Sequence, residues 1–174
     1  PPQSDEWKPA WVAAKCGATD MQSFIASLHE KGIFVIGRVT VFQDPFYAPL
    51  HPELAVKKAD GTTVWRDNKG LSFIDVGSRP YWDHLVLLAR DAYNIGFDEL
   101  NFDYVRYPSD GNMTDIAFTQ SKHYEGDIDK QANLEEFFKY VNIKLDDESL
   151  FSAVRHEHTG RASSTPWTSA DLFG

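Results

Sequence analysis

Cysteine is nearly missing from this chain. Cys16 stands alone, so no disulfide can form within the chain, and no CxxC or Cys/His zinc pattern exists. Long hydrophobic runs are missing too: none approaches the ~18 apolar residues of a membrane span. Basic residues are the minority, 17 Lys and Arg against 26 Asp and Glu, for a net charge of −9. Nucleic acids and anionic membranes are bound by clustered Lys and Arg, so the balance argues against both and leaves an ordinary solvated acidic surface. Glycine-rich phosphate loops, a GxSxG elbow and HExxH are absent. So is an initiator Met. The chain begins Pro1-Pro2, which suggests a processed start from which any signal peptide or anchor is already gone. The expected location is extracellular or in the cell envelope.

What is present is globular. The 174 residues are 42% hydrophobic and 25% charged, which fits a single domain over 1–174. Asp20 is a good N-cap, and Met21, Phe24, Ile25 and Leu28 behind it recur at helical spacing up to Gly32. Ile33–Phe42 is β-branched and almost continuously apolar, as a strand buried on both faces would be. Pro52–Lys57 reads as a short helix, Asp60-Gly61 as the turn of a hairpin, and Asn68–Gly70 as another turn. Pro80 opens a second helix, with Trp82, Leu85, Ala89 and Ala92 on one stripe and Gly96 as its stop. Phe97–Val105 reads as a strand and 109–131 as loop. Leu134, Phe137, Phe138, Val141 and Leu145 mark a third helix, and Trp167–Phe173 reads as a last strand. Helices alternating with strands imply an α/β fold with parallel strands and crossover helices.

The chemistry concentrates between Gly96 and Pro108. Alternate strand residues share a face, so Glu99, Asn101, Asp103 and Val105 lie on one side, and Leu100, Phe102 and Tyr104 on the other. A carboxylate at the carboxyl end of such a strand sits where α/β barrels place their active sites. Asp103 is therefore the candidate catalytic group, and Arg106 is a candidate partner. On the earlier strand Ile36, Arg38, Thr40, Phe42 and Asp44 share a face. Arg38 either neutralises a carboxylate or binds an anionic or hydroxyl-rich ligand. Asp44, before Pro45, either joins that site or shapes a turn. Asp171 places a second carboxylate at the end of the last strand. Two carboxylates on consecutive strand ends are what glycoside hydrolysis needs, one as nucleophile or base and one as proton donor. The His156-Glu157-His158 stretch reads as solvated loop, and no metal ligand set or cofactor site is predicted.

Phe97–Ser109 resembles the FDEI-x-FDYVRFPS signature of a bacterial glycosyl hydrolase-like domain family, once catalogued as a domain of unknown function and distantly similar to the α-amylase-like barrels. Gly37–Asp44 is similar to that family's aRivvFkD strand, Pro52–Val56 with Gly61 and Trp65 to its loop pattern, and Ser169–Gly174 to its SaDlFG strand. The resemblance covers about residues 20–145 and the last six. It implies a TIM-type barrel acting on a poly- or oligosaccharide. Asp103 would take the nucleophile position on the fourth strand, and Asp171 would fall near the acid/base position on the fifth. The α-amylase pattern carries Arg two residues before its nucleophile, where this chain has Asn101. Asn101, Arg38, Asp44, Trp65 and Arg106 are the expected sugar-binding or orienting residues.

A complete barrel takes about 250 residues, so the expectation is a partial or truncated (β/α) TIM-type barrel, whether fragment or natural half-barrel. An open barrel leaves an apolar strand edge, which predicts a homodimer or a cover formed by 146–166. Two alternatives stay open. One is a non-catalytic carbohydrate-binding module on a decayed barrel, using Tyr47, Trp65 and Phe73. The other is a different hydrolase using a loop Ser or His.

Overall fold

Asp20 does what an N-cap should: its Oδ1 accepts the backbone N–H of Ser23 at 3.1 Å, opening helix α1 (Met21–His29). In this computed structural model the described residues are 20–124 and 126–146. Gly32, at φ +71°, lets the chain leave α1 by a left-handed turn. Strand β1 (Ile36–Thr40) follows. Helix α2 (Tyr47–Leu50) and a 3₁₀ turn (Pro52–Leu54) begin the long connection. Helix α3 (Arg79–Asn94) leads to strand β2 (Glu99–Asp103). A second 3₁₀ turn (Met113–Asp115) precedes the small antiparallel pair β3 (His123–Tyr124) and β4 (Asp127–Ile128). Helix α4 is Lys130–Asp146.

Strands β1 and β2 pair in parallel, with Ile36 opposite Glu99, Arg38 opposite Asn101 and Thr40 opposite Asp103. The architecture is thus mixed α/β with parallel strands and helices in the crossovers. Asp98 fixes the lower end of this pair: its Oδ2 accepts the Val35 N–H at 2.7 Å and meets His29 Nε2 at 2.8 Å. Among the described residues no helix is long and apolar enough to cross a membrane.

The core is aromatic. Phe42 meets Phe137 edge-on at 5.0 Å, and Trp82 meets Phe137 at 5.6 Å. These rings bring together the end of β1, α3 and α4. The Trp82 indole donates to Val76 O at 2.8 Å, so its N–H is not left unpaired by burial. Helix α3 buries Tyr81, Trp82, Leu85, Val86, Ala89 and Ala92, the stripe its spacing predicts.

Several expectations need correction. The apolar run 33–42 is a strand only over Ile36–Thr40, and it is covered on one face: Gly37 is buried, whereas Ile36 is 53% exposed. Period-2 alternation puts Ile36 on the polar face with Arg38 and Thr40, so hydrophobicity alone misjudged its surroundings. The second strand ends at Asp103 rather than Val105, because Tyr104 takes φ +54° and cannot continue a strand. The helix expected over 52–57 stops at Leu54, since Ala55 and Lys57 turn extended and bridge to Ile74 and Val64. The 60–61 turn does close a hairpin-like loop, with Lys58 N–H bonded to Thr63 O and Trp65 N–H to Val56 O. The segment 109–131 is not plain loop, as it holds the 3₁₀ turn and the β3–β4 pair. Phe138 faces outward, one residue off the Phe137, Val141 and Leu145 stripe. The expected strand at 167–173 and segment 146–166 lie outside the described residues, apart from the helix end at Asp146.

Candidate active site

The β1–β2 register stacks the polar positions of both strands into one ladder. Arg38 and Thr40 stand beside Asn101 and Asp103 on a shared face, and Asp103 is at its carboxyl end. Arg38 reaches diagonally to Asp103. Its Nε donates to Oδ2 at 2.7 Å, and Nη2 donates to the same oxygen. The other carboxylate oxygen, Oδ1, accepts the Tyr104 N–H at 2.7 Å. The Arg38 bond first, then the Tyr104 N–H and the charges of Arg38 and Arg106, hold Asp103 below the usual carboxylate range. Arg38 in turn is raised by its bond to Asp103. The Asp103 side chain keeps 35% of its surface open, so an ionised carboxylate is presented at the strand end rather than buried. Of the two arginines expected as its partner, Arg38 is the one bonded to it. Arg38 lies on the neighbouring strand in register with Asn101.

The backbone turns sharply just past this carboxylate. Tyr104 is the one described residue other than glycine with positive φ, a conformation costing roughly 1–2 kcal/mol for a side chain of this size. The turn carries Arg106 over the Tyr104 ring, 5.2 Å from its centroid, where Nη1 donates to Ser109 Oγ at 2.9 Å. Asn101 is exposed one level below Asp103 on the same face.

Asp44 forms the turn after β1. Its Oδ1 accepts from the N–H groups of Phe46 and Tyr47 at 3.0 and 2.8 Å, and its Oδ2 from the buried Tyr81 hydroxyl at 3.1 Å. Burial first, then Asp44, raises the Tyr81 phenol well above its ordinary range. Trp65 does not offer a sugar platform. It is 1% exposed, its indole donates to Asn112 O at 3.0 Å, and Gly111 lies so close that a Cβ there would sit 2.7 Å from the ring. Phe73 is buried as well, which removes two of the three aromatics assigned to a binding surface. Asp171 and the His156–His158 stretch lie outside the described residues. Among the described residues, no three His, Cys, Asp or Glu side chains gather as a metal-holding group.

One constellation was not anticipated. Asp75 is fully buried and is held by neutral donors: Gly77 N–H at 3.0 Å, Gln120 N–H at 2.8 Å and Ser121 Oγ at 2.5 Å. Ser121 Oγ also lies 2.9 Å from the Tyr107 hydroxyl. Burial pushes the Tyr107 phenol up to about 12. The network anchors the segment after Asp103 to the turn before α3. Asp75 two residues before Gly77 is an Asx-turn signal that sequence reading could have used.

The family model described as "putative glycosyl hydrolase domain" matches residues 3–155. A hypothetical protein from Ruminiclostridium thermocellum, known from its crystal structure, is 31% identical, with a TM-score of 0.66 over 82% of this chain and 70% of its own. An α-galactosidase from Thermus thermophilus aligns at 15% identity and TM-score 0.49 over 71% of this chain and 24% of its own. The glycoside hydrolase domain of PelA from Pseudomonas aeruginosa aligns at 13% and 0.46 over 72% and 45%. No curated protein matches the sequence. With most of its length matched by one model and its fold shared with a relative at 31% identity, the chain belongs to the putative glycosyl hydrolase domain family.

Proposed function

We propose that this chain carries a glycoside hydrolase site on part of a (β/α) TIM-type barrel, with Asp103 as its nucleophile. The observation that carries the reading is the state of Asp103: partly open, held ionised by Arg38 and the Tyr104 N–H, at the carboxyl end of a parallel strand. A carboxylate whose charged form is favoured is suited to attack an anomeric carbon and unsuited to donate a proton. The proton donor in this reading is Asp171. Asp103 would bond to the anomeric carbon as the glycosidic C–O bond breaks and the departing oxygen takes the Asp171 proton. Water would then bond to the anomeric carbon as the Asp103–carbon bond breaks, releasing the Asp103 carboxylate, with the deprotonated Asp171 taking the water's proton. Carboxylates on neighbouring strand ends, ~4.8 Å apart, suit the ~5–5.5 Å separation of a retaining enzyme. Arg38 orients Asp103, while Asn101 and Arg106 face the sugar.

The same reading extends to assembly and place. The exposed Ile33 and Ile36 at β1 support a homodimer that covers them, and a glycan substrate fits a location in the cell envelope or outside the cell.

The test is a hydrolysis screen on glycans and chromogenic glycosides with wild type and Asp103→Asn. The variant should keep the wild-type circular dichroism and lose turnover by at least about a thousandfold. Undiminished hydrolysis by the folded variant would remove Asp103 from the mechanism.

A further inference from the structure

We propose that the site selects a glycan bearing an anionic substituent, a ring carboxylate or an O-sulfate, and that Arg106 reads that charge. The inference rests on the reading of the Asp103 face as a glycan site. It starts from how the described arginines use their donors. Arg38 is committed to Asp103 and Arg79 to Glu136. Arg66 bonds Gly70 O at 2.8 Å and Ser72 Oγ at 3.3 Å, and Arg90 bonds Lys144 O at 3.3 Å. Arg106 is exposed and has one hydroxyl, Ser109 Oγ, as its hydrogen-bond partner among the described residues. A guanidinium has five N–H donors in a planar fork, matched to carboxylate and to tetrahedral oxyanions.

Arg106 is also held in place. The Tyr104 ring lies beneath it, and Tyr104 is kept there by a backbone conformation that a tyrosine adopts at a cost. Strain maintained at a strand end beside a reactive carboxylate is a sign of a functional constraint. Ordering Arg106 in advance lowers the entropy lost when a ligand arrives. Its charge is not needed to hold Asp103 ionised, since Arg38 makes the larger contribution to that. An anionic sugar next to Asp103 would be repelled by the carboxylate, however, and Arg106 offsets that repulsion locally. The chain's overall charge of −9 acts from further away and is screened beyond ~8 Å at physiological salt.

Titration calorimetry tests this with three probes: a hexuronate-bearing oligosaccharide, its carboxyl-reduced neutral counterpart, and an O-sulfated form of the neutral one. Wild type should bind one charged form about tenfold more tightly than the neutral one, and the ratio should shrink as sodium chloride is raised. The preferred charged form identifies the substituent. Arg106→Gln should bring the ratio close to one, and Arg106→Lys should keep part of it, with circular dichroism confirming that both fold. Equal binding of charged and neutral forms by wild type, or a preference that survives Arg106→Gln, overturns the proposal and leaves the glycan site standing. Failure of every probe to bind wild type overturns the glycan-site reading and the proposal together.

Discussion

Replacing Asp75 by alanine should be among the most damaging single changes in the chain, though Asp75 faces no ligand. Its side chain is fully buried, and three donors converge on it at 3.0, 2.8 and 2.5 Å. A hydrogen bond to a charged acceptor is worth about 1.5–3 kcal/mol, and a buried donor left without a partner costs a comparable amount. Three such bonds bound the loss at roughly 4.5–9 kcal/mol, and bonds within one network are not additive. There is little room for the backbone to find other partners. Gly77 packs so tightly on Gln120 that a Cβ would lie 2.3 Å from its carbonyl oxygen, so the two segments leave no space between them for a replacement side chain. Water entering the site would recover part of the loss, which leaves about 4 kcal/mol of the ~5–15 that a typical domain has.

For a chain of this length each kcal/mol lowers the melting temperature by roughly 2–4 °C, so Asp75→Ala should melt about 8–16 °C below wild type. Asp75→Asn should recover less than half of that, because its amide NH₂ would face a donor. Thermal melts followed by circular dichroism, with urea titrations alongside, measure both. A melting point for Asp75→Ala within about 2 °C of wild type would refute the network as a stabilising element. It would also undo the argument that Asp75, through Ser121 and Tyr107, anchors the segment carrying Arg106.

Arg38→Gln removes the first cause of the lowered Asp103 pKa. Asp103 should then titrate nearer the ordinary ~3.9 of an aspartate, and the acid limb of kcat/KM should move to higher pH. In wild type, a depressed pKa means that both the ionised nucleophile and its stabilising pair persist at neutral pH and are lost as pH falls below ~3.9. An acid limb that stays put in the variant would show that Arg38 does not set it. Trp65→Ala should cost about 3–5 kcal/mol of stability, by urea titration, since it empties the contact with Gly111 and frees Asn112 O; a surface aromatic would cost almost nothing. Phe137→Ala should likewise lose about 3–5 kcal/mol, whereas Phe138→Ala should stay within about 0.5, and equal losses would place the buried face of α4 wrongly.

Why the pairing of Arg38 with Asp103 was legible while its surroundings were not comes down to range. Strand parity is a local rule, and it correctly aligned Arg38 and Thr40 on one strand with Asn101 and Asp103 on the next once the register was known. The same rule assigned Ile36 to the polar face, yet the apolar character of Ile33–Phe42 suggested burial on both sides. Burial depends on what covers a face, and no feature of that decapeptide records it. Trp65 failed for the same reason: an indole between a turn and a charged run reads equally well as platform or core, and only Gly111, 46 residues away, decides it. Asp75 was missed because its partners at 120 and 121 are contributed by a polar stretch with no pattern of its own.

Tyr104 marks the limit most clearly. Positive φ is ordinarily signalled by Gly, Asn or Asp, and a tyrosine in a run of strand-forming residues signals the opposite. The conformation is imposed from outside, by Arg38 drawing Asp103 toward β1, by Val41 N–H bonding Asp103 O at 2.8 Å, and by the Tyr104 N–H turning back to Asp103 Oδ1. Local preference is overridden where the carboxylate is held, and two of these contacts, Arg38 and the Tyr104 N–H, also favour its ionised form. The strained residue is therefore a physical feature of this strand end that is independent of the family resemblance, and it adjoins the aspartate proposed as nucleophile.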